Sequence, residues 1–482
     1  MEYYLRIALK FLFTTFYFNF KKPTKWLGLM LLMMVSHHLQ GQIFHINNIE
    51  ISGNRKTKTH IIIREMAFNA GDSLTYNELK ERMEQTQKNL FNTFLFNEIK
   101  FEIFDSSQSA LSVKVLLQER FYTYILPSME LADRNFNVWW VQENHDLARI
   151  NIGATLLQRN IRGRNETMTL TAQTGYTQQL ALQYEFPFLD KNLTKGLQLY
   201  LGGYRNKESF AATVNNQQIF IRDDNHYMRQ QFKSGAMFRF RPKIFIRHSL
   251  EINWVKTAIE DSLANYNPDF LLHHQTQQQY TLLRYLFECD HRDVKAYPLK
   301  GYLLTFTATR YGLLLSDNVN MSEITLLTSR YTSISKNLFL YNSFKGKLSA
   351  PMEQPYNLQK AFGYANDFVR GYEYEVVDGQ HYALFRNDLK WKIFQKKYPL
   401  HYSYLHTFLQ TLPLQIFLKT FVDGGYVVDK YYFASNSLNN SWLVGYGVGV
   451  DFVTAYDLLL RCEISRTKTG ATGFFIHMRA NI

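Results

Sequence analysis

An arginine and an aspartate in two separate motifs are the residues of this chain best suited to chemistry. The two motifs are Val369-Arg370-Gly371-Tyr372 and Phe421-x-Asp423-x-Gly425. The planar guanidinium of arginine presents parallel N–H groups that match the two oxygens of a carboxylate. Because an unpaired charge away from bulk water is costly, an arginine in such a place needs a carboxylate partner, and Asp423 is a candidate for Arg370. Gly371 would let the backbone turn tightly beside them.

Motifs for catalysis or cofactor binding are missing from the sequence. It contains neither a Gly-x-Ser-x-Gly nucleophile elbow nor a phosphate-binding P-loop. Its two cysteines, Cys289 and Cys462, are too few and too distant for a metal site or a disulfide framework. The run Gly445-x-Gly447-x-Gly449 has a strict period of two, so it indicates a strand whose small inner face leaves room for a loop. The sequence therefore predicts no enzyme, no cofactor and no metal.

The elements that position these motifs are predicted to be long strands with one apolar and one polar face. In residues 444–452 apolar side chains alternate with three glycines and Asp451, and around residue 420 the same parity places Asp423 on the polar face. A soluble sandwich would alternate as well. The length, an aromatic content of 16% and the export signal described below favour a transmembrane barrel, because open sheet edges cannot face lipid.

Residues 42–119 are predicted to form a separate small α+β domain. A strand over residues 44–51 ends at the turn Gly53-Asn54, and a short helical run covers residues 59–66. Thr75 and Glu78 form a capping box at the start of a second helix. Two half-buried strands follow, over residues 99–103 and 111–117. The predicted order is β-α-α-β-β.

The first 41 residues are predicted to be a signal peptide. Three lysines precede the apolar stretch Trp26–Val35, and Leu39 and Gly41 fit the small-residue positions of a cleavage site. The alternative is a membrane anchor built from residues 3–20, although Arg6 and Lys10 interrupt it.

The net charge of +13 carries little information about partners. The positive residues are spread out, without the Lys/Arg block typical of nucleic-acid binding, so no nucleic-acid partner is predicted. Solvated loops account for the charge, and contact with anionic lipid headgroups is the alternative.

The motifs of both regions resemble those of the BamA/TamA superfamily of outer-membrane barrels. The first region resembles a polypeptide-transport-associated (POTRA) domain, through Ile51-x-Gly53-Asn54, Arg64-Glu65, Phe68-x-x-Gly71-Asp72 and Asn89-Leu90-Phe91-Asn92. In residues 120–482 the matching motifs are Asn160-x-x-Gly163-Arg164-x-Glu166, Asp290-x-Arg292-Asp293, and the two that contain Arg370 and Asp423.

The resemblance implies an architecture: one periplasmic POTRA domain over 42–119, then a mainly β, 16-stranded antiparallel barrel over 120–482 in the outer membrane of a Gram-negative-type bacterium. It also implies that Arg370 lies on the sixth extracellular loop, which folds back into the lumen and pairs with Asp423.

The resemblance further implies a weak lateral seam between the first and last barrel strands. We expect these strands over about Arg149–Gln158 and Phe474–Ile482. The seam residues would then be Arg149, Ile150, Asn151, Ile476, His477, Met478 and Ile482.

The function implied is insertion or translocation of other polypeptides at the outer membrane. The POTRA domain would capture a client by strand addition, and the seam would open sideways to template client strands. Partners would be unfolded outer-membrane or secreted polypeptides and the lipid bilayer, with accessory lipoproteins or periplasmic chaperones as further candidates. A dedicated exporter of one passenger and a passive porin-like channel are the alternatives, and the sequence does not name the clients.

Overall fold

The computed structural model describes residues 43–104, 110–133, 136–190, 192, 194–364, 366–399, 411–454 and 458–479. The predicted signal peptide and Ile482 lie outside these residues. The chain divides into two compact units, of which the second comprises Ile51–Met66, Gln85–Lys100 and Leu116–Ile482. The expected domain boundary between residues 119 and 120 stays a prediction. In the part of the chain described, no helix is long and apolar enough to cross a membrane.

The N-terminal region is a four-stranded sheet with two helices. In chain order the elements are β1 (Ile43–Ser52), α1 (Thr59–Glu65), β2 (Ser73–Thr75), α2 (Tyr76–Phe91), β3 (Phe96–Phe104) and β4 (Ala110–Glu119). The sheet order is β2-β1-β4-β3. Thr75 and Glu78 form the expected capping box, since the Glu78 carboxylate accepts a 2.8 Å hydrogen bond from the Thr75 N–H. The three-residue strand β2 was not predicted, because it is too short to show alternation.

Sixteen antiparallel strands form a transmembrane β-barrel, which confirms the predicted fold class. The strands are β5 (Thr123–Leu131), β6 (Ile150–Arg159), β7 (Thr167–Gly175), β8 (Thr177–Phe186), β9 (Lys195–Asn206), β12 (Arg229–Lys243), β13 (Ile246–Ile259), β14 (Gln277–Asp290), β15 (Gly301–Tyr311), β16 (Met321–Ser333), β17 (Leu338–Ala350), β18 (His381–Pro399), β19 (Thr411–Val428), β20 (Trp442–Val453), β21 (Leu459–Thr467) and β22 (Thr472–Arg479).

Each barrel strand pairs with the next in chain order, except that a hairpin intervenes between β9 and β12. The hairpin strands are β10 (Glu208–Val214) and β11 (Gln217–Arg222). Two short helices lie in connections, α3 (Phe136–Val141) and α4 (Asp261–Tyr266). We call the end of the barrel where β5 begins, at Thr123, the entry end, and the opposite end the far end.

The barrel reverses the distribution of side chains found in a soluble sandwich. On β19, Lys419 and Asp423 point inward and are each 1% exposed, whereas Val422 points outward and is 53% exposed. On β20 the outward Val448 is 50% exposed. Charged groups line the lumen and apolar groups cover the outside, which is the arrangement of a barrel in lipid.

The first strand of the sheet lies one strand earlier than expected. The end strand is β5, and Ile150 and Asn151 begin β6, the second strand. The prediction that the first strand covers Arg149–Gln158 was therefore wrong. Pro127 lies in the middle of β5 and argued against a strand there, but proline is tolerated on an edge strand because one row of N–H groups is unpaired.

Because Val448 is assigned to the lipid-facing side of the barrel, a charge placed at this position should destabilise the protein. Val448→Arg should lower the free energy of unfolding by about 2–4 kcal/mol, the cost of arginine near the bilayer midplane. The control is Leu313→Arg in the β15–β16 connection, where the native side chain is similarly exposed, at 46%. Guanidinium unfolding in phospholipid vesicles measures both variants. Equal losses for the two would contradict the assignment.

Candidate functional site in the barrel lumen

The connection between β17 and β18, residues 351–380, folds into the barrel, and we call it the inner loop. Val369 is 0% exposed and Tyr372 is 4% exposed. Both belong to a buried apolar cluster with side chains of β18, β19 and β20, namely Tyr382, Leu384, Val427 and Leu443. The sequence run that holds Arg370 is thereby fixed against the barrel wall.

Gly445 of β20 and Gly425 of β19 make room for the inner loop. A Cβ atom added to Gly445 would lie 1.7 Å from the Arg370 carbonyl oxygen. On the neighbouring strand, a Cβ at Gly425 would lie 2.5 Å from Val369 Cγ2. The prediction that the Gly445-x-Gly447-x-Gly449 face leaves room for a loop is confirmed at Gly445, whereas a Cβ at Gly447 or Gly449 would meet atoms of the barrel wall.

The structure brings Arg370 and Asp423 together. Arg370 Nε donates to Asp423 Oδ2 at 2.7 Å, and Arg370 Nη2 donates to Asp423 Oδ1 at 2.6 Å. The Arg370 N–H also donates to Asp423 Oδ2 at 3.3 Å. The guanidinium carbon lies 3.9 Å from the centre of the Phe421 ring, a cation–π geometry. Asp423 therefore binds Arg370 through two side-chain hydrogen bonds and one backbone hydrogen bond.

Two further carboxylates contact Arg370 that sequence reasoning did not assign to it. Arg370 Nη2 donates to Asp388 Oδ1 on β18 at 2.6 Å, and Nη1 donates to Glu463 Oε1 on β21 at 3.3 Å. All three carboxylate residues are at most 3% exposed. Asp388 alternates with the outward Leu389, so strand parity was the available signal, but parity does not say which strands a loop residue meets.

A second ionic layer lies on the entry-end side of Arg370. Lys419 Nζ lies 3.1 Å from Asp451 Oδ1 and 2.7 Å from Glu463 Oε1, and Arg461 Nε donates to Asp451 Oδ1 at 3.0 Å. Glu463 joins the two layers because it contacts both Arg370 and Lys419. Strands β18 to β21 are thus connected by ion pairs as well as by their backbone ladders.

Different influences set the pKa values of Arg370 and Glu373, the two buried ionisable groups of this part of the inner loop. Burial opposes the charge on Arg370, but the carboxylates of Asp388 and Asp423 outweigh it and raise the Arg370 pKa well above its usual range. Burial raises the pKa of Glu373 to about 8, although the Gly371 N–H donates a hydrogen bond to its carboxylate. Gly371 has a φ of +100°, a conformation that favours glycine at this turn.

The β10–β11 hairpin lies in a far-end connection and is joined to the inner loop through Asp378. The Asp378 carboxylate accepts hydrogen bonds from Thr213 Oγ1 on β10 at 2.6 Å, and from the Tyr356 and Tyr364 hydroxyls at 2.9 and 2.6 Å. Burial raises the pKa of Asp378, and these hydrogen bonds oppose the rise. Two loops far apart in the sequence, the β10–β11 hairpin and the inner loop, therefore meet at this buried carboxylate.

The predicted seam residues occupy several different environments. Ile476, His477 and Met478 lie on β22, the other end strand of the sheet. Arg149 instead lies in an ionic cluster, with Nη2 2.7 Å from Asp133 Oδ1 and an ion pair to Glu208 of the hairpin. Within the described residues the strand order ends at β5 and β22, and no hydrogen-bonded register joins these two strands.

A polar contact between the β6–β7 turn and residues 56–58 was not predicted. Asn160 is 0% exposed, and its Nδ2 donates to Thr57 Oγ1 at 2.9 Å. The Lys58 N–H donates to the Gly163 carbonyl at 2.9 Å. The Tyr122 hydroxyl also lies 3.0 Å from Thr57 Oγ1, and burial raises the pKa of Tyr122 to about 12. All of these residues belong to the same compact unit.

One group of side chains has the composition of a metal site. In the described part of the chain, Glu373, Glu463 and His477 bring potential ligand atoms within 4.8 Å of one another. Glu463 is already paired with Lys419 and Arg370. Those two positive charges oppose a further cation, so the group is better described as part of the ionic wall.

Comparisons with known proteins agree with this geometry. The family model described as the Omp85 superfamily domain matches residues 160–464. The POTRA model, described as surface antigen variable number repeat, matches residues 44–120. No curated protein matches the chain in sequence.

Two solved structures share the fold. The crystal structure of BamA from Haemophilus ducreyi lacking POTRA domains 1–3 matches with a TM-score of 0.53 at 11% identity, covering 90% of this chain and 84% of that one. CdiB from Escherichia coli matches with a TM-score of 0.54 at 10% identity, covering 90% and 76%. The resemblance drawn from the sequence motifs is confirmed.

Removing the Arg370 side chain should destabilise the barrel strongly. Arg370→Ala leaves three buried carboxylates without this partner, at an expected cost of about 3–5 kcal/mol. Arg370→Lys keeps the charge but loses the bidentate geometry, and should fall between. The control is Arg222→Ala, whose ion pair with Asp224 is exposed and should contribute about 0–1 kcal/mol. Unfolding in vesicles measures all three, and equal losses for Arg370→Ala and Arg222→Ala would contradict the assignment.

A methyl group on the glycine face should displace the inner loop. Gly445→Ala places a Cβ against the Arg370 carbonyl oxygen, and overpacking of this kind costs about 1–3 kcal/mol. Gly424→Ala is the matched control, because nothing lies within 4 Å of its Cβ position. Limited proteolysis should cut the inner loop faster in Gly445→Ala only. Equal cutting in both variants would mean that the contact does not hold the loop.

Proposed function

The chain belongs to the Omp85 superfamily, and on that premise we propose that it inserts or translocates polypeptides at the outer membrane. A client would add a β-strand at the seam between the two end strands of the barrel. The observation that carries the proposal is that these strands, β5 and β22, share no hydrogen-bonded register in the described residues. Unpaired strand edges are templates for a further strand.

The corrected seam differs from the one expected from sequence on its β5 side. Pro127 lacks an N–H group and so lowers the number of hydrogen bonds that β5 can donate. Ile125 and Met129 on β5, and Met478 on β22, are 72%, 77% and 76% exposed. These apolar side chains at a weakly bonded edge would suit an incoming strand in lipid.

The orientation proposed places the entry end in the periplasm together with the POTRA domain. Outer-membrane barrels have short periplasmic turns and longer extracellular loops. At the entry end the connections include residues 160–166, 244–245 and 334–337, whereas at the far end they include residues 207–228, 260–276 and 351–380. This asymmetry supports the orientation and makes the inner loop the sixth extracellular loop.

The proposed role of the Arg370–Asp423 pair is structural. It would hold the inner loop in the lumen and brace strands β18 to β21 while the seam opens. An inner loop held in the lumen by buried ion pairs argues against a wide passive porin. Export of one passenger stays the alternative.

Depletion of the protein tests the proposal. Quantitative proteomics of the outer membrane should show several β-barrel proteins falling together, because each needs a template for insertion. Re-expression of the wild-type chain should restore them, whereas expression of Arg370→Ala should not. Loss of one secreted protein alone would favour the exporter. An unchanged outer membrane and an unchanged secretome would contradict both.

A further inference from the structure

The connection between β14 and β15 at the entry end, residues 291–300, is a rigid turn. Arg292 donates two hydrogen bonds to Asp290, Nε to Oδ1 and Nη2 to Oδ2, each at 2.8 Å. Asp293 Oδ1 accepts from the N–H groups of Leu299 and Lys300 at 3.0 and 3.2 Å. The turn, which we call the entry turn, therefore holds its shape through its own side chains.

The tip of the entry turn is buried against side chains of strands β17 to β21. Tyr297 is 8% exposed, and its hydroxyl donates to Asp451 Oδ2 on β20 at 2.8 Å. The centre of the Tyr297 ring lies 4.9 Å from the centre of the Phe417 ring of β19. Lys390 Nζ lies 4.5 Å from the centre of the same Tyr297 ring. The apolar cluster around it comprises Phe339, Phe417 and Leu459, with Leu299 and Val453 packed against it.

These contacts cross the lumen. Four strands, β16 to β19, separate β15 from β20 in the sheet. At about 4.8 Å between neighbouring strands, that is about 24 Å along the wall. A turn of ten residues that starts at β14 and reaches β20 therefore passes through the interior.

The entry turn also borders an open cavity. A cavity of about 740 Å³ is lined by Arg239, Arg241 and Arg247 together with Arg292, Asp293 and Lys295 of the turn. Tyr297, by contrast, is packed into the wall of β19 and β20. The turn thus separates this charged vestibule from the ionic wall that holds the inner loop.

We infer that the entry turn is a releasable plug that closes the lumen at the entry end, with Tyr297 as its latch. Its release leaves no charge unpaired, because Asp451 keeps Lys419 at 3.1 Å and Arg461 at 3.0 Å. The Tyr297 hydroxyl exchanges its carboxylate for water. Release of Arg370, in contrast, would leave the buried carboxylates of Asp423 and Asp388 with more distant cations only, Arg386 at 3.9 Å and Lys390 at 3.8 Å. The inference does not depend on whether the chain inserts or exports polypeptides.

Ion conductance in planar lipid bilayers tests the plug. The wild-type protein should show rare openings. Tyr297→Phe loses the hydrogen bond to a charged acceptor but keeps the ring, and should open about tenfold more often. Tyr297→Ala loses both and should open most. The matched control is Val294→Ala in the same turn, where the native side chain is 45% exposed and conductance should stay at the wild-type level. Wild-type conductance in Tyr297→Ala, with normal heat-modifiable migration, would overturn the inference.

A labelling measurement keeps the inference testable if Tyr297→Ala does not fold. In a Cys289→Ser, Cys462→Ser background that keeps Tyr297, the thiol of Phe339→Cys should react with a maleimide about tenfold more slowly than that of Val294→Cys, because Phe339 is buried in the cluster under the seated turn. Equal labelling rates in the folded proteins would show that the turn is not seated and would overturn the inference.

Discussion

The buried guanidinium of Arg370 is the constraint from which the arrangement of the inner loop and strands β18 to β21 follows. A buried cation needs carboxylates on several sides, and Asp423, Asp388 and Glu463 supply them from three different strands. Its backbone must come close enough to the wall for those bonds to form, and only glycine at position 445 permits that approach. The inner loop, the glycine face and the charged strands are thus one arrangement.

The interior holds two elements whose release has different consequences. The inner loop is fixed by a charge whose removal would leave Asp423 and Asp388 with more distant cations only, Arg386 at 3.9 Å and Lys390 at 3.8 Å. The entry turn is fixed by a neutral hydroxyl and an aromatic ring, whose partners are satisfied without it. Under the proposed function, this difference would keep the wall braced at β18 to β21 while the seam between β5 and β22 opens and the entry turn is released.

The sequence alone predicted those structural features that depend on the alternation of apolar and polar residues or on short motifs. Alternation identified the faces of β19 and β20, and the Thr75–Glu78 capping box was visible in the sequence. The Arg370–Asp423 contact was expected because both residues lie in family motifs and because parity placed Asp423 inside. The edge strand β5 was missed because the resemblance was used to place the first strand at about Arg149–Gln158, which the structure shows to be the second strand. The contacts of Asn160 with Thr57, and of Tyr297 with Asp451, join segments far apart in the chain, and no single-sequence pattern encodes which strands such residues meet.

A double-mutant cycle between Arg370 and Asp423 tests the central claim most directly. The free energies of unfolding of the wild type, Arg370→Ala, Asp423→Ala and the double variant would be measured in phospholipid vesicles. If the pair is the brace of the lumen, the double variant should lose far less than the sum of the single losses, with a coupling of about 2 kcal/mol or more. Additive losses, with a coupling near zero, would contradict the account.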